Sequence, residues 1–306
     1  VQKEFAGSAV ELEHAFNAAS ALTTELGTTH LVSKDAVKTI ALMEANLGIS
    51  ADTAAGALDM FKNMGSASGE SAENMMMATA ALADAAGVPL DAVMQDIAGA
   101  SEDTQKFMKG NAKEMMLTAV QARRLGVSMD SITASMSSAL DFESSISEQM
   151  RLSSMLGKHI NLDAMRRAAF AGDAEQVMKE QLKAMEAMGG TEAMNPLQLE
   201  QAAKALGLSV EEMIKMERHE KGLQDLKNGT AEQQALYNQY EQMQNKIKEE
   251  GVKSAAEEAE ERIRAQKAEL VKANIMRQVN ALMTKLGEVL LPMVEGAFKI
   301  LMPILD

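Results

Sequence analysis

The side chains best suited to proton transfer or metal binding in this 306-residue chain are four histidines, His14, His30, His159 and His219. No two of them have the spacing that would put both on one helix face as metal ligands. Cysteine is absent, which excludes disulfide, zinc-finger, iron–sulfur and thiol chemistry. Asp91 and Asp96 follow Gly87 as candidate paired carboxylates, yet acids in a first helical turn are ordinary partners of the helix dipole. Gly65-Ser66-Ala67-Ser68-Gly69 has the pliancy of a phosphate loop but no lysine and no preceding strand, so an inter-helix loop is expected. No H-E-x-x-H, G-x-S-x-G or G-x-x-x-x-G-K-[ST] motif occurs. The 26 methionines include Met75-Met76-Met77, Met115-Met116 and the Met185/Met188 pair, without the compact Met/His group that copper needs. Flexible thioethers filling a core are expected instead. Glu257-Glu258 and Glu260-Glu261 read as a solvated helix face, and Asn228-Gly229-Thr230 matches a glycosylation sequon that matters only on a secretory route. This inventory predicts no enzyme, no cofactor and no metal.

The elements that would carry these residues are helices. Only 3% of residues are aromatic, there are four prolines, and Ala, Met, Leu, Glu, Lys and Gln are in surplus, so the expected fold class is all-α. A net charge of −14 disfavours sequence-specific nucleic-acid binding. One boundary motif recurs. Leu47-Gly48-Ile49-Ser50-Ala51-Asp52 returns as Ala86-Gly87-Val88-Pro89-Leu90-Asp91, as Leu125-Gly126-Val127-Ser128-Met129-Asp130 and as Leu206-Gly207-Leu208-Ser209-Val210-Glu211. Glycine takes the left-handed conformation that ends a helix, the serine caps the next one, and the acid sits on its first turn. Ser33 and Asn161 are further cap candidates, Asn195-Pro196 opens another helix, and Ser209 with Glu212 has capping-box spacing. Gly48, Gly87 and Gly126 are evenly spaced, but Gly157 and Gly207 break the period, so an irregular array of short antiparallel helices is expected over residues 1–229 rather than a solenoid.

From Thr230 the pattern changes to one long amphipathic, coiled-coil-like helix, residues 230–306, with Gly251 as its weak point. Leu236, Tyr240, Met243 and Ile247 step by four, three and four residues, and Ile275, Val279, Leu282 and Leu286 do the same, the averaged spacing of an oligomer seam. Glu249/Lys253, Glu258/Arg262 and Glu260/Arg264 are candidate i,i+4 pairs between the two halves. A continuous helix from Thr230 to Met302 would extend about 110 Å. A helix folded back on the array is the alternative to an intermolecular coil. The apolar stretch from Leu286 to Leu305 carries Lys285, Glu288, Glu295 and Lys299 on one stripe and is interrupted by Pro292 and Pro303. It reads as a partner-binding helix; a membrane-active translocator or pore-former is the rival reading. No signal peptide opens the chain, and a longer gene product is expected because Val1 stands where an initiator methionine would.

Several segments, in consistent order over residues 35–217, are similar to tail tape measure proteins of contractile-tailed bacteriophages. They are Leu42-Met43-Glu44-Ala45-Asn46-Leu47-Gly48-Ile49-Ser50-Ala51-Asp52, Val93-Met94-Gln95-Asp96-Ile97-Ala98-Gly99-Ala100-Ser101-Glu102 and Ala119-Val120-Gln121-Ala122-Arg123-Arg124-Leu125-Gly126-Val127. Leu140-Asp141-Phe142-Glu143-Ser144-Ser145-Ile146, Leu156-Gly157-Lys158-His159-Ile160-Asn161-Leu162-Asp163, Ala171-Gly172-Asp173 and Asn195-Pro196-Leu197-Gln198 continue the series. Ala205-Leu206-Gly207-Leu208-Ser209-Val210-Glu211-Glu212 completes it. Their order carries the resemblance, since each alone is ordinary capping chemistry. The resemblance implies a structural virion protein inside the tail tube or baseplate hub, assembled in the host cytoplasm. It further implies self-association as a trimer, contacts with tube and hub proteins and with tail assembly chaperones, a role in setting tail length, and host-membrane contact during genome ejection. Even fully helical, this chain would reach only about 460 Å, which fits a portion of a longer ruler.

Overall fold

The computed structural model describes residues 9–27, 33–64 and 71–265, and every regular element among them is helical. Contacts divide the chain into one unit over Val1–Ala259 and another over Glu260–Asp306. The first unit begins with α1 (Ala9–Leu26), α2 (Lys34–Leu47), α3 (Ala51–Met64), α4 (Ala72–Ala86) and α5 (Leu90–Ala98). It continues through α6 (Glu102–Phe107), α7 (Ala112–Arg124), α8 (Met129–Leu140), α9 (Phe142–Leu156) and α10 (Asp163–Ala171). A 3-10 turn, Thr191–Ala193, separates α11 (Ala174–Met188) from α12 (Pro196–Leu206), and α13 (Val210–Asn228) and α14 (Ala231–Glu250) follow.

Short glycine corners force successive helices to fold back, so α1 packs on α2 and α3, and α3 on α5. Helix α4 is the centre: residues 75–83 are buried all round, as a helix apolar on every side must be. It is enclosed by α3, α7 and α14. The methionine runs fill this core, Met75, Met76, Met115 and Met116 being fully buried. Helix α8 joins the halves by packing on α7, α10 and α11.

The corner motif works as its residues predict. Gly48, Gly87, Gly126 and Gly207 all have φ between 67° and 77°. Ser50, Ser128 and Ser209 accept from the amides of Thr53, Ser131 and Glu212. Asn195 and Ser209 both close capping boxes. Asn161 sits one residue outside the cap: Leu162 occupies that position and Asn161 accepts from the Asp163 amide instead (2.8 Å).

The expected single rod from Thr230 is divided over its described part. Thr230 starts α14 with its own capping box. Gly251, at φ 93° and ψ 169°, then leaves helical geometry. Residues 252–259 are helical again, and Lys246 donates to Glu258 across that corner, holding the two helices as a hairpin. Because the corner falls between them, Glu249 and Lys253 are not successive turns of one helix; Lys253 pairs with Glu257 (3.8 Å). In the second unit residues 260–265 are helical, and Arg264 pairs with Glu260 (2.9 Å). Since α13 and α14 are part of the first unit, it extends past the boundary expected at 229/230.

Candidate functional site

The residues suited to chemistry are placed by helix faces, and several of them, Asp96, Arg166 and His14 among them, bridge one helix to another. The two candidate carboxylates part ways. Asp91 faces outward and accepts from Gln95 (2.7 Å). Asp96 faces inward and receives Arg123 through Nε at 2.8 Å and a second guanidinium nitrogen at 2.5 Å, plus the Met129 amide at 3.1 Å. Burial raises its carboxyl pKa, and the Arg123 and Met129 bonds oppose the rise without cancelling it. This group therefore joins α5, the end of α7 and the start of α8.

Histidines are scattered. His14 Nδ1 lies 3.1 Å from Glu44 between α1 and α2, the His219 ring lies against the Gly126 corner, and His159 is exposed. His30 and the Gly65–Gly69 segment, expected to be an inter-helix loop, lie outside the described residues. Among the described residues no three His, Asp or Glu side chains gather as a metal cluster. A groove of about 880 Å³ between α11 and α13 is lined by Lys179, Lys183 and Lys221. Each of these is already paired, with Glu175, Glu180 and Glu217 respectively.

The seam residues give the most developed constellation. Tyr240, Met243 and Ile247 are buried inside the first unit, Tyr240 to 1% exposure, whereas Leu236 is 56% exposed. Helix α14 lies on α4, and its tyrosine reaches α7. The Tyr240 hydroxyl donates to Gln121 Oε1 (2.6 Å) and accepts from Gln244 (3.1 Å). Above it the Arg124 guanidinium stacks 3.9 Å from the Tyr240 ring centre and 5.1 Å from that of Tyr237. These are the chain's only two tyrosines, and both meet one cation. Glu241 adds a contact to Arg124 at 3.5 Å, and Lys248 reaches Glu175 of α11 at 3.0 Å. Burial pushes the Tyr240 phenol well above its ordinary range, so it stays neutral and acts as a hydrogen-bonded wedge. The site clamps a helix. Ile275, Val279, Leu282 and Leu286, the other half of the seam, lie outside the described residues.

Sequence spacing finds the Tyr240 face but not its partner. Arg124 reads as a cation on the last turn of α7, suited to the dipole, and nothing in its neighbours announces the tyrosines over a hundred positions on. Arg166 is a second buried cation that spacing does not reveal. It donates to Ser145 (3.0 Å) and Gln149 (2.5 Å) of α9 and to Asp163 (2.6 Å) at the start of its own helix.

Three glutamates do similar work at helix ends. Burial would raise Glu217, but the Thr191 amide (2.7 Å) and Lys221 (3.1 Å) outweigh it and leave its pKa below the ordinary glutamate value. In Glu212 burial is outweighed by Ser131 and the Ser209 amide, and in Glu175 by Lys179 and Lys248. Carboxylates depressed in the folded state bind protons more readily when unfolded. They stabilise the fold above the ordinary glutamate pKa of about 4.5, and that support is lost as pH falls through their folded values. A variant with Gln at 175, 212 and 217 is expected to lose less stability than the parent between about pH 5 and about pH 3 in urea titrations. Parallel acid limbs would contradict this assignment. Asp96, shifted the other way, is kept in both proteins.

Comparisons with protein-family models, with curated proteins and with solved structures find nothing that matches this chain.

Proposed function

We propose that this chain is a non-enzymatic structural component of a contractile phage tail, a tape measure protein or the folded portion of one. The observation that carries the reading is the use made of its buried polar groups. Asp96, Arg124, Arg166 and Gln181 each join one helix to another rather than converging on a cavity. Such a body transmits load and presents surface. The ordered likeness over residues 35–217 supports the particular identity.

In this reading the capped helices make the folded array, and the seam-bearing sequence beyond it, with Ile275, Val279, Leu282 and Leu286, supplies the coiled-coil-like rod through which copies associate. Self-association there begins later than residue 230, because Tyr240, Met243 and Ile247 are engaged within one chain. The partners are other copies, tail tube subunits and the baseplate hub, and the location is the tail lumen. The charge of −14 keeps the lumen from gripping outgoing DNA. An in-frame deletion in the rod-forming helical part of the encoding gene, outside the folded array, is expected to shorten tails by about 1.5 Å per residue removed. Tails of unchanged length in negative stain would refute the measuring role.

A further inference from the structure

Asn228-Gly229 is the only asparagine–glycine pair in the chain. The side-chain carbonyl of an asparagine lies within reach of the next residue's backbone nitrogen, so attack on it is intramolecular and governed by whatever hinders the approach. Glycine, with no Cβ, hinders it least. In the structure that nitrogen is lightly held. Asn228 is the last residue of α13 and is exposed. Gly229 has already left helical geometry, at φ −85° and ψ −150°. Its N–H reaches the Leu226 carbonyl at 3.4 Å, long beside the roughly 2.7–3.2 Å of an ordinary N–H···O bond. Asn46, also exposed and near the end of its helix α2, makes the contrast. Its side chain donates to the Leu42 carbonyl (3.0 Å), and leucine follows it.

We infer that Asn228 is a site of spontaneous covalent conversion, through a cyclic imide with Gly229, that loosens the start of α14. The Gly229 nitrogen bonds to Asn228 Cγ, its own proton passes to water, and the Cγ–Nδ2 bond breaks to release ammonia. Water then opens the imide at one of its two carbonyls. Cleavage at Cγ leaves aspartate; cleavage at the backbone carbonyl leaves isoaspartate, with the chain running through the side chain. Water is the only co-reactant. The products do not suit the corner they stand in. Either one puts an anion on the C-terminal end of α13, where the helix dipole disfavours it. Isoaspartate also adds a carbon to the backbone between two packed helices, α13 and α14. That corner has little slack. Gln234 donates to the Gly229 carbonyl (3.0 Å), and the Thr230 amide donates to Gln233 Oε1 (2.8 Å) in the capping box that opens α14. A Cβ at Gly229 would run into Gln233 Oε1 and lie 2.8 Å from the Asp225 carbonyl. A lengthened backbone must therefore displace the cap, and the first turns of α14 lose their support.

Storage of the intact chain in warm, mildly alkaline buffer tests this, with peptide mass spectrometry after acidic digestion and hydrogen exchange on the same samples. Asn228 is expected to convert at least tenfold faster than Asn46, giving both aspartate and isoaspartate. In the stored parent the amides of the first turns of α14 should lose protection. Asn228→Gln, a change at an exposed position, forms no five-membered imide and should keep that protection through the same storage. Conversion of Asn228 no faster than that of Asn46 would overturn the assignment of the site. Conversion that leaves α14 as protected in the stored parent as in stored Asn228→Gln would overturn the effect on the helix.

Discussion

Gly207→Ala is expected to cost about 4 kcal/mol of folding stability, whereas Gly48→Ala, at the same place in the same motif, costs about 1–2 kcal/mol. Both glycines are left-handed, φ 68° and 70°, and each substitution meets the backbone penalty for an L side chain there. They differ in what surrounds them. A Cβ at Gly48 meets nothing within 4 Å. One at Gly207 would lie 2.9 Å from Ser135 Cα and 3.0 Å from Ser138 Cβ, with the Ser135 carbonyl at 3.2 Å. None of these is the far end of a flexible side chain, so α8 must separate from the corner. Separation breaks a buried knot: Ser135 donates to the Leu206 carbonyl (2.7 Å), and Gln181 donates to both Ser135 (2.6 Å) and that carbonyl (3.1 Å). Urea midpoints of the two variants measure the contrast, and equal losses would show that the close approach of α8 carries no weight.

Tyr240→Ala is expected to cost about 4 kcal/mol, because removing the ring opens a core cavity and takes from the buried Arg124 the nearer of its two ring partners. Arg124 is 6% exposed and its Nε has no hydrogen-bond partner, so the faces of Tyr240 and Tyr237 are a large part of what compensates that charge. Tyr240→Phe keeps the ring and loses only the bonds to Gln121 and Gln244, and about 1–2 kcal/mol should go with them. Hydrogen exchange adds a spatial readout. In Tyr240→Ala the amides of α14 should open before those of α4 and α7, since three apolar side chains anchor α14 and one is removed. Uniform loss of protection across all three helices would contradict a separately released clamp.

These two sites also mark how far the sequence alone reaches. The glycine–serine corners were readable because capping is local: a left-handed residue, a hydroxyl and an acid within a few positions suffice. What stands across from a corner is not local, so Gly48 and Gly207 look alike until α8 is seen against one of them. The same limit applies to α14. Periodicity places Tyr240, Met243 and Ile247 on one face, but a seam toward another chain and a stripe toward one's own core have the same period. The structure turns that face inward onto α4 and α7, and Gly251 breaks the helix where glycine's missing side chain makes an extended corner cheap. The Phe142, Ile146 and Met150 stripe on α9 is interspersed with Ser and Glu, so exposure rather than pattern reveals it.

The most direct measurement is quantitative mass spectrometry of purified particles before and after genome ejection. A structural protein of the tail lumen is expected in intact particles at a fixed small ratio to the baseplate hub proteins, and depleted once the tube has emptied. Its absence from intact particles, with recovery instead among the non-virion proteins of infected cells, would contradict the account.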